Sequence, residues 1–412
     1  MKKDTGGRLP GKFLYALAEA FIYPYLEILY RPSYVRDPKV RDLKPPFLVL
    51  GNHPSTWDPF HLARVMHPFR INFLTSNLFF RHPLVGFLLR GVGAIPKIQF
   101  RSDAKALKTM LQVIGLKGII GIFPEGTRSA DGATTPVRDA LSKLVKKAGM
   151  PVVTVIGKGS YLSRPRWSSS GNRRGHVIIE SHVLLNADQV REMSIEAIRA
   201  VLENAIRYNE YDWQRTARVP FRGKAPAEGL DTILHKCPAC SADWVMRTQG
   251  RRLFCSACGN AAVMDDYGLL APEKPDAVIF EDAAAWNAWQ RQEMSAVVAR
   301  PDFRMESRVK LCSSDLEQPF RDAGEGMIVL DHDSLRYSGT DGERHIEQVF
   351  PLPGILGISA DYGENFEIVM DKTTYRFFFE QGQQVIGYAH AVDFLRESIV
   401  RKSGKTGPEA TE

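Results

Sequence analysis

Three short clusters hold residues whose types and spacing could do chemistry. In LVLGNHPSTWDPF (Leu48–Phe60), His53 and Asp58 form an N-H-x4-D pattern just where an apolar run ends. An imidazole near a carboxylate can serve as a base that the acid orients. Asp58 followed by Pro59 and HLARVM also has the form of a helix N-cap, which would explain the aspartate and leave the histidine unexplained. In GIFPEGTRSADG (Gly121–Gly132) a buried strand ends at Phe123 and Pro124 turns the chain. Glu125, Gly126, Thr127, Arg128 and Ser129 then place an acid, a flexible backbone, two hydroxyls and a guanidinium in one loop. Arg128 can grip a phosphate through two parallel N–H bonds, or pair with Glu125 in a salt-bridged turn.

The third cluster is CPAC (Cys237–Cys240) and CSACG, with Cys255 and Cys258, which hold four of the five cysteines. Two residues between the thiolates of each pair let both face one tetrahedral ion, and this pattern predicts a structural zinc ribbon. All four ligands are cysteine, so no coordination position is left open for chemistry. Two disulfides are the rival, against which stands the lack of any mark of secretion. Cys312 stands apart and reads as a small hydrophobe.

The elements that must carry these clusters follow from hydrophobic period. FLVLG, INFLTS, GIIGIF, MPVVTVI and HVIIES read as strands. Between them lie helical patterns: one from Pro59, and one after Ser102 with Leu107, Met110, Leu111 and Ile114 on one face. Others run from Val137 to Lys147 and, as one long helix, from about Asp188 to Arg207. This rhythm predicts an α/β sandwich, with a linker at RGKAPAEG (Arg222–Gly229). Beyond the ribbon, MIVLDHDSLRYSG, IEQVFPL, GILGISAD, NFEIVMD and TTYRFFFE are short alternating runs closed by a helix around Gln384–Val400. They predict a β-rich module that binds rather than reacts. Only the last dozen residues look disordered.

Length and composition allow two or three domains with real cores: 412 residues, 44% apolar and 10% aromatic. Residues 1–230 carry 35 Lys and Arg against 18 Asp and Glu, while residues 231–412 carry 19 against 29. A basic front half favours anionic partners, whether phosphorylated substrates, nucleic acid or an anionic membrane surface. No apolar run approaches the length that crosses a bilayer. KFLYALAEAFIYPYLEILY nevertheless repeats at helical spacing, with Leu14, Leu17, Phe21, Ile22, Tyr25 and Leu29 sharing a face and basic residues at both ends. It could lie flat on a membrane, Pro24 dividing it into two short helices, or pack on its own domain.

NHPSTWD, GAIPKIQF, FPEGTRS and GMPVVTVI together closely resemble, in order and spacing, the four blocks of the phospholipid/glycerol acyltransferases, which include 1-acylglycerol-3-phosphate acyltransferases. The resemblance covers roughly residues 10–215. Two departures matter. Lys97 and Arg101 both qualify as the basic residue of the second block, and the fourth block has Pro151 but Thr154 where a second proline is common. The resemblance implies an acyltransferase-type αβ sandwich and an O-acyltransferase. Its substrates would be an acyl-CoA or acyl-carrier-protein (acyl-ACP) donor and a glycerol-phosphate lipid precursor, most simply 1-acyl-sn-glycerol-3-phosphate, giving phosphatidate. Glycerol-3-phosphate, another lysolipid or a non-catalytic lipid-binding role are the alternatives.

Under that reading His53 is the base and Asp58 fixes its tautomer. Arg128 with Lys97 or Arg101 holds the phosphate, and Glu125, with Gly126 and Thr127, orients Arg128 or the glycerol. Ser55 is the rival, as an acylated nucleophile. The run Asn77–Gly93 is a candidate acyl-chain contact. The expected organisation is amphipathic membrane-association helices at 1–35, an acyltransferase domain at 36–221, a zinc ribbon at 230–272 and a β-rich module resembling pleckstrin-homology or GRAM domains (PH/GRAM-like) at 280–402. The expected place is the cytoplasmic face of a membrane, held peripherally. Nucleic acid is not an expected partner, because the ribbon lies in the acidic half.

Overall fold

Leu48, Val49 and Leu50 are buried on both sides, which makes β2 (Leu48–Gly51) the centre of the first sheet. The computed structural model describes residues 7–99, 103–137, 139–315 and 318–402, the side chains of 400–402 excepted. By compactness it divides into two units, residues 1–166 with 171–223, and residues 167–170 with 224–412.

In the first unit a seven-stranded sheet runs in the order β1-β7-β6-β2-β5-β3-β4. Its strands are β1 (Ser33–Arg36), β2, β3 (Ile71–Ser76), β4 (Ile95–Lys97), β5 (Ile119–Ile122), β6 (Val152–Lys158) and β7 (Ile178–Leu185). β2 pairs in parallel with both β5 and β6, and β3 in parallel with β5 and β4. The carboxyl ends of these five strands therefore lie along one edge, where open parallel sheets place their sites. The helices are α1 (Lys12–Tyr30), α2 (Pro38–Arg41), α3 (Asp58–Val65), α4 (Pro83–Gly91), α5 (Ala104–Gly115), α6 (Asp139–Ala148), α7 (Ser160–Ser163), α8 (Ala187–Glu192), α9 (Ile195–Ile206) and α10 (Glu210–Ala217). Alternate strand residues face opposite layers. Leu48, Leu50, Ile120, Ile122 and Val152 pack against α5, α6 and α9, whereas Val49, Ile119, Val153 and Val155 pack against α3. The expected α/β sandwich is present.

Four expectations need correction. The helix expected over 188–207 is two, because the Ser194 hydroxyl caps the Ala197 N–H and starts α9 afresh. The Lys146 ammonium takes the carbonyls of Arg191 and Met193, at 2.6 and 2.7 Å, that the break leaves over. Leu111 is exposed, because the packed stripe of α5 is Ala106, Met110 and Val113. α1 runs unbroken through Pro24, which costs one backbone bond that the anchoring of both halves offsets. Tyr15, Tyr23, Leu26 and Tyr30 are buried, and the Arg64 guanidinium lies 4.8 Å over the Tyr23 ring. The face expected to be shared is consequently split: Leu17, Phe21 and Tyr25 point outward with Phe13 and Ile28, while Leu14, Ile22 and Leu29 are half-buried.

In the second unit, β8 (Met246–Gln249), β9 (Arg252–Cys255), β10 (Ala261–Met264) and β11 (Leu270–Pro272) form a four-stranded antiparallel sheet around the cysteines. α11 (Ala283–Val298) precedes a seven-stranded sheet of β12 (Met305–Asp315), β13 (Arg321–Leu330), β14 (Ser334–Asp341), β15 (Arg344–Pro351), β16 (Ser359–Asp361), β17 (Asn365–Met370) and β18 (Thr373–Phe379). Its order is β15-β14-β13-β12-β18-β17-β16, and α12 (Gln384–Lys402) closes it by burying Val385, Tyr388, Val392 and Leu395. Residues 403–412 of the expected disordered tail lie outside the described residues.

Candidate active site

β2 delivers its chain end to the carboxyl edge of the sheet, and the next residue locks it there. The buried Asn52 amide donates to the Gly157 carbonyl at 3.1 Å and accepts the Gly157 N–H at 2.8 Å, tying the ends of β2 and β6 together. His53 follows. Its ring stacks on Phe123 at 4.2 Å and 19°, and Phe123 lies parallel to Phe73. Its Nδ1 is 2.9 Å from Asp58 Oδ2, which also accepts the Ser55 N–H at 2.7 Å. With Nδ1 engaged and the side chain 20% exposed, Nε2 is the nitrogen left to meet a substrate proton.

α3 begins at Asp58 itself, with no side-chain cap from Trp57 before it. The aspartate's side chain turns away from the helix to His53, so the N-cap reading gives way to the dyad. Burial pushes the Asp58 carboxyl above the usual range, against the opposing pull of His53 and the Ser55 N–H. Ser55 is fully buried, and its hydroxyl accepts the Trp57 N–H at 3.3 Å. Its burial counts against Ser55 as an acylated nucleophile.

The EGTRS loop is fastened to His53 by its main chain. The His53 N–H donates to Glu125 Oε1 at 2.8 Å, and the Ser129 N–H donates to the His53 carbonyl at 2.9 Å. Glu125 thus orients the histidine's backbone, where the sequence suggested Arg128 or the substrate. Burial raises its carboxyl to about 7, while the N–H groups of His53 and Thr135 act the other way. Gly126 takes a left-handed φ of 73°, and its carbonyl accepts the Gln99 amide at 3.0 Å. Thr127 and Arg128 are half-buried, and the guanidinium donates to the Thr56 hydroxyl at 2.9 Å, on the His53–Asp58 loop. Lys97 ends β4, two residues before Gln99, and its ammonium donates to the Ile98 carbonyl. Arg101 lies outside the described residues.

Asn52, Phe123, Thr56 and Gln99 were not assigned roles from sequence. Asn52 stood within the quoted motif, but its partner Gly157 is 105 residues away.

At the four-stranded sheet of the second unit, the four sulfurs of Cys237, Cys240, Cys255 and Cys258, the expected ribbon ligands, lie within 4.8 Å of one another. The Cys237–Cys258 and Cys240–Cys255 separations are 3.7 and 3.8 Å. A metal–sulfur bond of about 2.3 Å in a tetrahedron gives an edge of about 3.8 Å, so the sulfurs fit one ion. All five cysteines are free thiols, against the disulfide rival. Arg251 and Arg252 of the ribbon pair with Asp266 and Glu273.

Residues 31–158 match the acyltransferase family. A 1-acyl-sn-glycerol-3-phosphate acyltransferase of Chlamydomonas reinhardtii is 32% identical over 165 residues, covering 38% of this chain and 48% of that protein. One from Borreliella burgdorferi is 27% identical over 164 residues, covering 39% and 64%. The chain thus spans roughly half to two thirds of the length of these relatives. Among solved structures, the 1-acyl-sn-glycerophosphate acyltransferase PlsC of Thermotoga maritima aligns at 19% identity over 49% of this chain and 83% of that one, with a TM-score of 0.37. With its N-H-x4-D and F-P-E-G-T-R blocks joined in one site, the segment 31–158 belongs to the acyltransferase family.

Proposed function

We propose that this chain moves a fatty acyl group from an acyl-CoA or acyl-ACP thioester to the hydroxyl of 1-acyl-sn-glycerol-3-phosphate, giving phosphatidate. The observation that carries this is the His53–Asp58 pair fastened through Glu125 and Ser129 to the loop that holds Arg128. His53 Nε2 takes the hydroxyl proton as the oxygen attacks the thioester carbonyl. The carbon–sulfur bond then breaks, and the imidazolium returns the proton to the leaving thiolate. Asp58 keeps the proton on Nδ1 and offsets the imidazolium charge. Arg128, with Lys97 on the same rim, binds the acceptor phosphate. The acceptor names of the two relatives support this substrate class.

The surface of the first unit supports peripheral docking on a membrane, and we propose the cytoplasmic face as its place. Phe13, Phe21 and Ile28 on α1 are each more than 70% exposed, and Phe79, Leu84 and Phe87 about 60%. The two groups adjoin where the Gly11 N–H meets the Gly91 carbonyl. The Asn77–Gly93 run is therefore apolar surface, with only Gly86 buried in α4. Among the described residues no helix is long and apolar enough to cross a membrane. In the second unit the sulfur tetrahedron supports a structural Zn²⁺, and the strand order with its closing helix supports a PH/GRAM-like binding module.

The test is turnover of the purified chain with both donors against a panel of acceptors. The 1-acylated, phosphate-bearing glycerol should react fastest. Equal use of an acceptor lacking the phosphate would overturn the reading.

A further inference from the structure

Beside the dyad lies a cavity of about 10 Å³ whose lining includes Asn52, Asp58, His61, Leu62, Phe123 and Gly157. Its walls are mostly apolar, with Asn52, Asp58 and His61 as the polar side chains of the lining. The space accommodates the centre of one water molecule, and three polar side chains are enough to hold it.

Hydrogen-bond accounting at Asp58 and His61 asks for such a molecule. Among the described residues, both donors to the Asp58 side chain, His53 Nδ1 and the Ser55 N–H, reach Oδ2. The other oxygen of this buried carboxylate belongs to a group that native structures seldom leave without donors. His61 is 2% exposed and its Nδ1 lies 3.1 Å from the Tyr34 hydroxyl. That hydroxyl has no other acceptor among the described residues, and donating to Nδ1 is the role that would satisfy it. In that role it leaves the His61 hydrogen on Nε2.

We propose that one resident water accepts the His61 Nε2–H and donates to Asp58 Oδ1, making His61 and Tyr34 positioning residues for the dyad. The chain runs from the Tyr34 hydroxyl through His61 and the water to Asp58, and ends on His53. It rests on the reading of His53 and Asp58 as the acyl-transfer pair only for its catalytic consequence. Burial lowers His61 to about 4 and raises the Tyr34 phenol, which keeps the imidazole neutral and the phenol a donor at neutral pH. The titratable groups around the ring are Tyr34, Asp58 and Tyr30, whose ring centre is 6.2 Å away. Among the described residues neither His61 nor Tyr34 has a hydrogen bond or ring contact with His53, so their effect would pass through Asp58.

The water's donated proton offsets part of the Asp58 charge. Without it the carboxylate becomes more basic and takes up its own proton at higher pH. In Tyr34→Phe and His61→Phe, the acid limb of the kcat/KM profile should move to higher pH, and the value at pH 6 should fall roughly 10-fold, the size of a lost bond to a charged group. A merely structural residue would lower the folded fraction and leave the limb in place. Tyr34→Phe keeps the ring and its packing, so it serves where His61→Phe does not fold. Two readouts need no turnover: a high-resolution crystal structure of the full chain, and nitrogen NMR of labelled histidine. Density between Asp58 and His61 with an Nε2–H tautomer supports the proposal. A dry cavity, an Nδ1–H tautomer or an unmoved acid limb overturns it. Absent acyl transfer with the water in place would instead sink the reading of the site.

Discussion

His53 is gripped at its ring by Asp58, over its face by Phe123, and at both main-chain groups by Glu125 and Ser129. His53→Ala should lower kcat by ~10²–10⁴-fold, the range of a lost general base, with little change in melting temperature. Arg128→Ala should raise the acceptor KM by the equivalent of ~1.5–3 kcal/mol and leave the donor KM alone; the reverse pattern would refute a phosphate clamp. Glu125 makes a pH prediction. Its folded value of about 7 lies above the ordinary 4.5, so the native state holds the extra proton between these values. Stability from this group is present below about 4.5 and lost as pH rises toward 7, on the order of 3 kcal/mol when ionised. Glu125→Gln should therefore gain in melting temperature over the parent between pH 5 and pH 8, and a constant difference would contradict the assignment. The two motifs were legible because each concentrates chemistry in a few adjacent residues. The task of Glu125 was not, because it depends on β2 and β5 being neighbours, with Leu50 beside Ile122.

At the scale of elements, period revealed strands and helices but not always which way they face. α1 is apolar on nearly every side, so spacing alone could not say that its tyrosines and Leu26 go inward while Phe13, Phe21 and Ile28 stay out. The break at Met193–Ser194 was hidden by a continuous helical pattern and shows only in the cap. α11 escaped notice because its buried side includes Asn287 and Gln290. Gln290 takes the His235 N–H and donates to the Ile233 carbonyl, tertiary bonds that no periodicity announces. The outward face of α1 gives the docking prediction. Full-length protein should float with anionic liposomes, less at high salt but not abolished. A Phe13→Ser, Phe21→Ser, Ile28→Ser variant should remain unbound, since each buried apolar side chain is worth about 1.5–3 kcal/mol. Point variants are the right test, because removing α1 would strip Tyr15, Tyr23, Leu26 and Tyr30 from the core. Equal flotation of the variant would reduce α1 to a packing helix.

Over the whole molecule, the charge shift near residue 230 and the boundary at Gly223–Lys224 separate a basic unit from an acidic one. Both were legible as changes of texture; the order of the last seven strands was not, because antiparallel pairing between distant runs leaves no local signal. Metal analysis of the purified chain should find one zinc per molecule, lost together with the ribbon's stability on chelation. Iron, or intact disulfides without metal, would contradict the tetrahedral reading. The account as a whole turns on His53 acting as the base for acyl transfer to a phosphate-bearing acceptor. Free-thiol release from acyl-CoA or acyl-ACP, followed with and without 1-acyl-sn-glycerol-3-phosphate, measures this directly in the parent and in folded His53→Ala. The account predicts acceptor-dependent release in the parent and its loss, by at least ~10²-fold, in the variant. Release that ignores the acceptor, or persists undiminished in His53→Ala, would contradict it.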